Sequence, residues 1–281
     1  MLMEAVYKNY TRVDEVCTFL SHYFTDGNLK RWRNLFNLPW SSTEPCGYVM
    51  YNDNNEIVGF IGTVFSVRNI DGREVVTCSL SSWSMDKSTR GQGLHLIRKF
   101  IKRKEVLFLD LTANEPSRKI FNAFKFKSLE SFEYLFPLFF SFNNFNTIDL
   151  NEDIDLNTLS KKDQRIFLDH KKSCMQFVKF TYKNTYILMG FTTVKRKKLS
   201  FLEIIYINSN GLDNKISGLL RYLAFNQKVF GTIIDSRFIN SAKGIYFKRE
   251  IKNKIYKNSC SDVINLSSID MLYTEKVLFC R

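Results

Sequence analysis

The residues best suited to chemistry lie in the short basic turn Arg90-Gly91-Gln92-Gly93-Leu94-His95. Glycine permits a close backbone approach and a positive φ, so successive N–H groups of the turn can point outward together. A helix that begins in this turn adds the partial positive charge of its N-terminus. Such an arrangement binds a phosphate or pyrophosphate group, and we expect the turn to hold one.

A strand before the turn and a helix after it are needed to hold these N–H groups in place. Residues 75–85 predict a strand that delivers the chain to the turn. Beyond the turn, Leu94, Ile97 and Ile101 recur at helical spacing, and the neighbouring basic side chains lie off that stripe. The alternative is a glycine turn before an ordinary core helix, because a glycine pattern is weak outside its strand-and-helix context.

The elements around the turn predict an α+β or α/β unit. Two strands at 47–51 and 57–67 flank the turn Asn52-Asp53-Asn54-Asn55, which is a strong hairpin signal. The other predicted elements of this half are helices at 13–24, 30–38, 94–102 and 115–124, a strand at 106–111, and one or two aromatic strands within 132–142.

The second half is predicted to repeat the first. The polar residues 143–157 are expected to form a linker or a surface loop, which gives domains 1–142 and 143–281. The turn of this copy, 208–215, lacks the arginine and the two-glycine spacing, so we expect one anion site, in the first half. The repeated elements are a hairpin at 177–182 and 186–194, strands at 201–207 and 229–235, and a helix at 216–226.

The chain carries a formal net charge of +13, from 41 Lys and Arg against 28 Asp and Glu. Anionic partners are therefore expected: a phosphorylated small molecule, RNA, or the anionic face of a membrane. Charge alone does not choose between these partners, and solvated helix faces account for many of the lysines. The 26 Phe and 13 Tyr favour a large aromatic core over an aromatic-lined cleft.

The six cysteines show no CxxC pattern, and the chain has three histidines. This favours free thiols in a reducing compartment over a zinc site or a disulfide framework, and we expect no metal. The N-terminus lacks a basic segment followed by an apolar run, so no signal peptide is predicted. The most apolar run, 132–142, contains Glu133 and Pro137 and is too short to cross a bilayer. We therefore expect a soluble cytoplasmic protein.

The first half resembles the GCN5-related N-acetyltransferase family in two segments. The diagnostic segment of that family is a strand followed by Arg or Gln, two residues, Gly, one residue, and Gly or Ala, at the start of a helix. Arg90, Gly93 and His95 occupy its three defined positions. A second family segment has Asn, then Ala, then Tyr, then Gly-Phe. It is matched in this chain by Asn114, Ser117, Phe121 and Lys125-Phe126.

The resemblance implies acyl transfer from acetyl-CoA, or another acyl-CoA, directly to an amine or hydroxyl of a small acceptor. It implies that the pyrophosphate is held by backbone N–H groups of the turn and by a salt bridge from its arginine. The cofactor-binding residues implied in the turn are Arg90, Gly91, Gln92, Gly93, Leu94 and His95. This loop suits the pyrophosphate of CoA, which counts against a nucleic-acid partner.

The same resemblance implies further contacts with the cofactor. The strand before the turn splays from its neighbour in the family, and backbone groups at Trp83, Ser84 and Met85 would then hold the pantetheine arm and polarise the thioester carbonyl. Asn114 would contact the pantetheine or the adenylate end of CoA. Capping of the helix at 115–124 is an equal alternative for this residue.

Several residues depart from the family pattern and leave the acid and the base open. Phe121 stands where many members have a tyrosine that protonates the leaving thiolate, and phenylalanine has no proton to give. His95 replaces a small residue beside the anion site, where packing is favoured over contact with a phosphate. Serines replace a glutamate base on strand 75–85. The candidate catalytic residues, each with an alternative as a cap, turn or solvated side chain, are His22, Glu44 and Asp86.

The resemblance also bears on architecture and acceptor. It implies two tandem acyltransferase-like domains, each a mixed, mostly antiparallel sheet flanked by helices, with the acyl-CoA site in 1–142 and a degenerate acceptor-binding or structural copy in 143–281. Trp32, Pro39 and residues 57–62 resemble acyltransferases of bacterial surface-polysaccharide gene clusters, which points to a sugar or nucleotide-linked amino sugar as acceptor.

Two other functions stay open at this point. Two-copy members of the superfamily include aminoacyl-tRNA-dependent transferases, and the net charge of +13 is compatible with such a substrate. A non-catalytic CoA-binding module is the third interpretation, since the family's acid and base are both missing. The sequence does not indicate the oligomeric state.

Overall fold

The computed structural model describes residues 1–24, 29–38, 40, 43–138, 147–150, 153–182, 185–208, 216–239, 245–260 and 264–279. Contacts divide the chain into two compact units. The first unit contains residues 1–129, 253–269 and 273–279, and the second contains 130–252 and 270–272. The predicted domains 1–142 and 143–281 stay a prediction, and the units defined by contacts do not separate at residue 142.

The described residues form fourteen β-strands and seven α-helices. The strands are β1 (Leu2–Val6), β2 (Gly47–Tyr51), β3 (Ile57–Ile70), β4 (Arg73–Met85), β5 (Val106–Asp110), β6 (Lys127–Ser128), β7 (Ser131–Pro137), β8 (Thr147–Leu150), β9 (Gln176–Tyr182), β10 (Thr185–Arg196), β11 (Leu199–Ile207), β12 (Gly231–Asp235), β13 (Phe247–Ile251) and β14 (Ile255–Asn258). The helices are α1 (Val13–Tyr23), α2 (Leu29–Arg33), α3 (Gly93–Phe100), α4 (Glu115–Ala123), α5 (Lys161–His170), α6 (Ile216–Asn226) and α7 (Glu275–Phe279).

The sheet of the first unit has the strand order β1-β2-β3-β4-β5-β14-β6. Neighbouring strands are antiparallel except β4 and β5, which are parallel. A parallel pair needs a crossover connection, and α3 supplies it. The predicted hairpin of β2 and β3 is confirmed. The turn at Asp71 and Gly72, with φ of 52° and 82°, joins β3 to β4 in the conformation that a two-residue hairpin requires.

The sheet of the second unit has the order β13-β7-β12-β11-β10-β9-β8. Here too all neighbours are antiparallel except one pair, β11 and β12, and α6 is the crossover between them. The predicted strands at 201–207 and 229–235 and the helix at 216–226 are confirmed within one to two residues. The predicted hairpin turn at 183–184 and most of the turn at 208–215 lie outside the described residues.

Each sheet contains a strand from the far half of the chain. Strand β14 lies between β5 and β6 in the first sheet, whereas β7 lies between β12 and β13 in the second. The prediction that the aromatic run 132–142 closes the first half is therefore wrong for β7, which belongs to the sheet of the second unit. Alternation of apolar residues identifies a strand but carries no information about its partner, and the partner here is distant along the chain. The predicted linker 143–157 contains β8, which is also a correction.

Both faces of the first sheet are covered by helices. On one face α3 buries Leu96, Ile97 and Phe100, each of which contributes about 1.5–3 kcal/mol. Leu94, predicted on the buried stripe, is instead 36% exposed, because the buried face follows positions 93, 96, 97 and 100. On the other face α1 and α2 bury a second cluster around Trp32 and Leu35.

The cysteines are mostly free thiols, as predicted. Cys17, Cys46 and Cys78 are buried free thiols, and Cys260 is half-buried. Burial raises the pKa of the Cys17 and Cys46 thiols to about 11, which makes them poor nucleophiles. Cys174 is disulfide-bonded, so the prediction is wrong at this residue. Spacing along the chain does not reveal which thiols the fold brings together.

The position of β14 makes a prediction about folding. Leu129 N–H donates to the Lys254 carbonyl at 2.8 Å, so these residues lie side by side. A chain in which Asn-Gly joins Leu129 directly to residues 254–279 would close a two-residue hairpin between β6 and β14. We expect this joined chain to unfold cooperatively in urea. The chain 1–129, which lacks β14, should show no cooperative transition, and equal stability of the two would contradict this account of the sheet.

Candidate functional site

A gap opens between β4 and β5 in the first sheet. Their parallel pairing runs from Val76 and Val106 to Ser79 and Leu109 and then stops. Strand β4 continues to Met85 and stays paired with β3 on its other edge. Among the described residues, no strand pairs with the β5-facing edge of β4 beyond Ser79. Backbone N–H and C=O groups on that edge are therefore available to a bound molecule.

A bulge in the strand pair accounts for the gap. The register between β3 and β4 shifts between Phe60 and Gly62, opposite the segment from Ser81 to Ser84. Within this segment Ser82 has a φ of 53°, a left-handed conformation that is uncommon for a residue other than glycine. A bulge bends its strand and increases its twist, so β4 turns away from β5 at this point.

The bulged segment carries a row of buried hydroxyls. Ser79, Ser81, Ser82 and Ser84 are each at most 7% exposed. The hydroxyl oxygens of Ser81 and Ser82 are 2.8 Å apart and share a hydrogen bond. Within the described part of the chain, the Ser79 hydroxyl has no hydrogen-bond partner although it is buried. An orphaned hydroxyl at the last ladder pair fits a gap that a polar molecule would occupy.

The predicted basic turn forms a 3₁₀ turn, Lys87–Gln92, followed directly by α3. The Asp86 N–H donates to the Val58 carbonyl at 2.8 Å, and Thr89 N–H donates to the Asp86 carbonyl at 3.0 Å, which anchors the turn to β3. Arg90, Gly91, Gln92, Leu94 and His95 are exposed.

The N-terminus of α3 is open to solvent. The helix begins with Gln92 as N-cap, and its side chain makes no capping hydrogen bond. The Gly93 N–H donates to the Arg90 carbonyl of the preceding 3₁₀ turn. The next N–H groups of the first helical turn have no partner within the helix, so those of Leu94 and His95 are available to an anion. The predicted juxtaposition of strand, basic turn and helix is therefore present.

The two glycines of the turn serve different purposes. Gly93 has a φ of −57°, and Gly91 also lacks a positive φ, so the expectation of a left-handed glycine is wrong. A Cβ at Gly93 would lie 2.9 Å from Met85 Cγ and 3.2 Å from Trp83 Cζ2, so this glycine lets the helix approach the strand. A Cβ at Gly91 would meet no atom within 4 Å.

An aromatic wall borders the turn. The rings of Trp83 and Phe121 are 5.7 Å apart, and Phe126 follows at 4.9 Å from Phe121. Phe121 is 1% exposed, so it serves as a core residue of α4. The Trp83 Nε1–H is buried and has no hydrogen-bond partner among the described residues. The structure thus brings together Trp83, Met85, Gly93 and Phe121, four of the predicted cofactor-binding residues.

Asn114 lies at the start of α4. Its side-chain oxygen accepts a hydrogen bond from the Ser117 N–H at 2.9 Å, so Asn114 is the N-cap of this helix. The capping alternative considered from the sequence is therefore realised. The residue is exposed, and its amide nitrogen can also face a ligand.

Asp86 lies at the start of the basic turn, and a hydrogen bond from α1 brings His22 and Tyr23 close to it. Asp86 directly follows β4 and accepts a hydrogen bond from the Tyr23 hydroxyl. Burial and this bond raise the pKa of Tyr23 to about 12, so the phenol stays protonated and holds the carboxylate. His22, the neighbour of Tyr23, is exposed in the last turn of α1. Sequence reasoning missed Tyr23, because its spacing matched the apolar stripe of α1.

Glu44 has a different environment from Asp86. Its two oxygens accept hydrogen bonds from Arg103 at 2.5 and 2.8 Å. The Arg103 guanidinium lowers the pKa of Glu44 against the effect of burial. The same guanidinium lies over the Phe65 ring at 4.8 Å. A carboxylate held in such a pair is a weak base, which disfavours Glu44 for proton abstraction.

A buried pair of acids lies at the end of β5. Asp110 is 8% exposed and Glu275 of α7 is 7% exposed. Thr112 links them: its N–H donates to Asp110 Oδ1 at 3.2 Å, and its hydroxyl donates to Glu275 Oε1. Burial, with the Glu275 charge, raises the pKa of Asp110 well above its ordinary value. The raised pKa favours the protonated form of Asp110, which lies one residue beyond the last pair of the β4–β5 ladder.

Sequence reasoning missed this acid pair. The only local signal was an acidic residue at the end of the apolar run of β5, and Glu275 lies far along the chain.

Among the described residues, no group of three or more His, Cys, Asp or Glu side chains could hold a metal ion. In the same part of the chain, no helix is both long and apolar enough to cross a membrane.

Comparison with known proteins finds a likeness in structure. No protein-family model matches the chain, and no curated protein matches it. A GCN5-related N-acetyltransferase from Anabaena variabilis matches with a TM-score of 0.61 and 9% identity, over 92% of this chain and 73% of that chain. A conserved protein of unknown function from Enterococcus faecalis matches with a TM-score of 0.59 and 9% identity, over 92% and 72%.

A third similar structure is a GCN5-related N-acetyltransferase from Kribbella flavida, with a TM-score of 0.53 and 8% identity, over 92% of this chain and 72% of that chain. At such identities the likeness establishes the fold alone. The chain has the mixed α/β fold of GCN5-related acyltransferases, with two sheets flanked by helices. The predicted fold class is confirmed.

The buried acid predicts a pH dependence of stability. Folded Asp110 keeps a proton that the unfolded chain releases near pH 4, about its ordinary pKa. The contribution of Asp110 to the stability of the wild type should therefore fall as pH rises from about 4 through the raised folded-state pKa, by at most about 1.4 kcal/mol per pH unit. Asp110→Asn keeps an oxygen acceptor for Thr112 and should lack this fall. Urea unfolding of both proteins across this range would contradict the assignment if their difference stayed constant.

Proposed function

We propose that the protein is an acyl-CoA-dependent acyltransferase. The observation that carries this proposal is the open edge of β4 beside the uncapped N-terminus of α3. A strand edge with free backbone groups suits an amide-containing arm, and a helix N-terminus suits a pyrophosphate. Acyl-CoA joins such an arm to such a pyrophosphate, and its thioester supplies the acyl group. Likeness to acetyltransferase structures adds support from the fold.

Each part of the chain has a distinct task in this proposal. The N–H groups of Leu94 and His95 bind the pyrophosphate, and Arg90 adds a positive charge at the exposed side of the turn. Backbone groups at 83–85 hold the pantetheine arm and polarise the thioester carbonyl, an effect that contributes about 2.7–4 kcal/mol in other acyl-transfer sites. Gly93 lets α3 approach this strand closely enough for both contacts to be made by one ligand.

The two proton transfers of the reaction are assigned to residues outside the family pattern. Phe121 cannot donate a proton, whereas the raised pKa of Asp110 favours its protonated form at the end of β5, next to the point where the ladder with β4 stops. We assign Asp110 as the acid that gives its proton to the sulfur as the carbon–sulfur bond breaks. Asp86, held by Tyr23, is assigned as the base that accepts a proton from the acceptor amine. Glu44 is already paired with Arg103 and takes no part.

The acceptor is proposed to be a small molecule rich in hydroxyl and amine groups. The hydroxyls of Ser79, Ser81 and Ser82 lie along the bulged strand and can hydrogen-bond such a molecule. An amino sugar or a nucleotide-linked amino sugar has this chemistry.

The two sheets have the same succession of parallel and antiparallel neighbouring strands, which supports an internal duplication. In this proposal the first copy holds the acyl-CoA site, and the second copy binds the acceptor or has a structural role.

Binding of CoA tests the first step of the proposal. At a hundredfold excess over Kd, CoA should stabilise the wild type by about 2.7 kcal/mol. A gain of that size raises Tm by about 5–10 °C in a chain of this length. Gly91→Asp places a carboxylate in the pyrophosphate site without a clash in the protein, so the shift should disappear.

A matched control separates the local charge from the net charge. Lys104→Gln makes the same change of one charge unit beyond the other end of α3 and should keep the full shift. Gly93 is unsuitable for this test, since any side chain there meets Met85 and Trp83. Absence of a CoA-dependent shift in the wild type, or an undiminished shift in Gly91→Asp, would rule the proposed site out.

Turnover tests the second step. Thiol release from acetyl-CoA should be measured over a panel of amines, amino sugars and nucleotide amino sugars. With the best acceptor, Asp110→Asn should keep its CoA shift and lose about 10²–10⁴ in turnover, the range for a lost general acid. Unchanged turnover would remove Asp110 from the mechanism. CoA binding without thiol release on any acceptor would favour a non-catalytic binding module.

A further inference from the structure

Large apolar side chains are exposed at one end of the second sheet. Their exposed fractions are Leu199 44%, Phe225 48%, Phe230 49%, Ile245 60% and Phe247 64%. Single exposed apolar residues are ordinary, but a group of this size on one surface marks an interaction site. The proposed acyl-CoA chemistry in the first unit makes no use of these residues.

Backbone contacts show that Leu199, Phe230 and Phe247 lie at neighbouring strand ends, and Phe225 lies in the last turn of α6, which leads to β12. Phe230 N–H, just before β12, donates to the Ser200 carbonyl of β11 at 2.9 Å. The Phe230 carbonyl accepts from Leu138 N–H, just after β7, at 2.8 Å. Phe247 pairs with Leu135 of β7. Leu199, Phe230 and Phe247 therefore lie at the same end of the sheet, and Ile245 directly precedes the strand that contains Phe247.

Lysines surround this group. Lys195, Lys197 and Lys198 are exposed in the β10–β11 hairpin, and Lys228 is exposed before β12. Lys248 Nζ lies 3.9 Å from the centre of the Phe132 ring, so an ammonium group and an aromatic side chain occupy the same surface. The segments 195–202, 225–234 and 245–249 contain no acidic residue. The lysines named here and the five apolar residues are called the basic apolar end.

The nearby arginines have a structural task instead. Arg196 Nη1 donates to Glu133 Oε2 at 2.9 Å, and Arg249 Nη2 lies 2.7 Å from the same oxygen. Glu133 is 6% exposed, so this pair of contacts ties β10 and β13 to β7. The charge that the basic apolar end presents to a partner is therefore carried by lysines.

We propose that the basic apolar end docks on the surface of an anionic phospholipid bilayer. Exposed Phe, Leu and Ile side chains would enter the boundary between headgroups and acyl chains, while the lysines face the anionic headgroups. The three exposed phenylalanines would suit a lipid surface or a stacked base. Lipid is favoured because Leu199 and Ile245 add aliphatic surface, which can enter the acyl-chain region but gives a base no ring to stack on. Part of the net positive charge of the chain would thus bind an anionic bilayer through lysines of the second unit. This proposal does not depend on the proposed acyl transfer.

Co-sedimentation with vesicles tests this proposal on the full chain. Vesicles with about a third of their lipid as phosphatidylserine should bind the protein, and vesicles of phosphatidylcholine alone should bind it far more weakly. Each lysine near an anionic surface changes the partition coefficient about fivefold, so the triple variant K195Q/K197Q/K198Q should lose on the order of a hundredfold. Phe247→Ser should lose about tenfold.

Matched controls come from α5 and the turn that follows it in the same unit. K161Q/K162Q/K172Q removes the same charge from exposed positions outside the basic apolar end, and Leu168→Ser removes an exposed apolar side chain of 43% exposure. Both controls should stay within about twofold of the wild type. No binding to phosphatidylserine vesicles, or equal losses in the control variants, would overturn the proposal. Binding of single-stranded RNA in place of vesicles, lost in the same lysine variant, would overturn the assignment to lipid.

Discussion

The divergence of β4 from β5 is the constraint on which the candidate site depends. A two-stranded parallel ladder that ran to Met85 would have its backbone groups paired and would leave no room for a ligand. The bulge at Ser82, with its left-handed φ of 53°, bends β4 after Ser79 and frees one edge of the strand. The close contact of Gly93 with Met85 then sets the N-terminus of α3 beside that free edge.

Two strands from distant parts of the chain complete the sheets around this site. Strand β14 covers the edge of β5 that faces away from β4, so β5 is held on that side and the gap on the other side can persist. The same segment of chain brings α7 and Glu275 to Asp110. The buried acid pair at the end of β5 is thus a product of long-range assembly.

Local features of the site were predictable because they depend on neighbouring residues. The basic glycine turn, its flanking strand and helix, and the Asn114 cap all follow from residues within one or two turns of each other. The environments of Glu44 and Asp86 were not predictable. Both are acidic residues in turns, and only the fold shows that one is paired with Arg103 while the other faces Tyr23.

The residue pattern specified the α/β class, most strand and helix positions and the location of the basic glycine turn. Hydrophobic periodicity and turn residues act over a few positions, so they can be read directly. Only the tertiary structure decided that β7 and β14 lie in the sheets of the opposite halves, that Cys174 is disulfide-bonded and that Asp110 meets Glu275. Strand pairing and burial depend on which surfaces meet in space, and periodicity along one strand does not specify its partner.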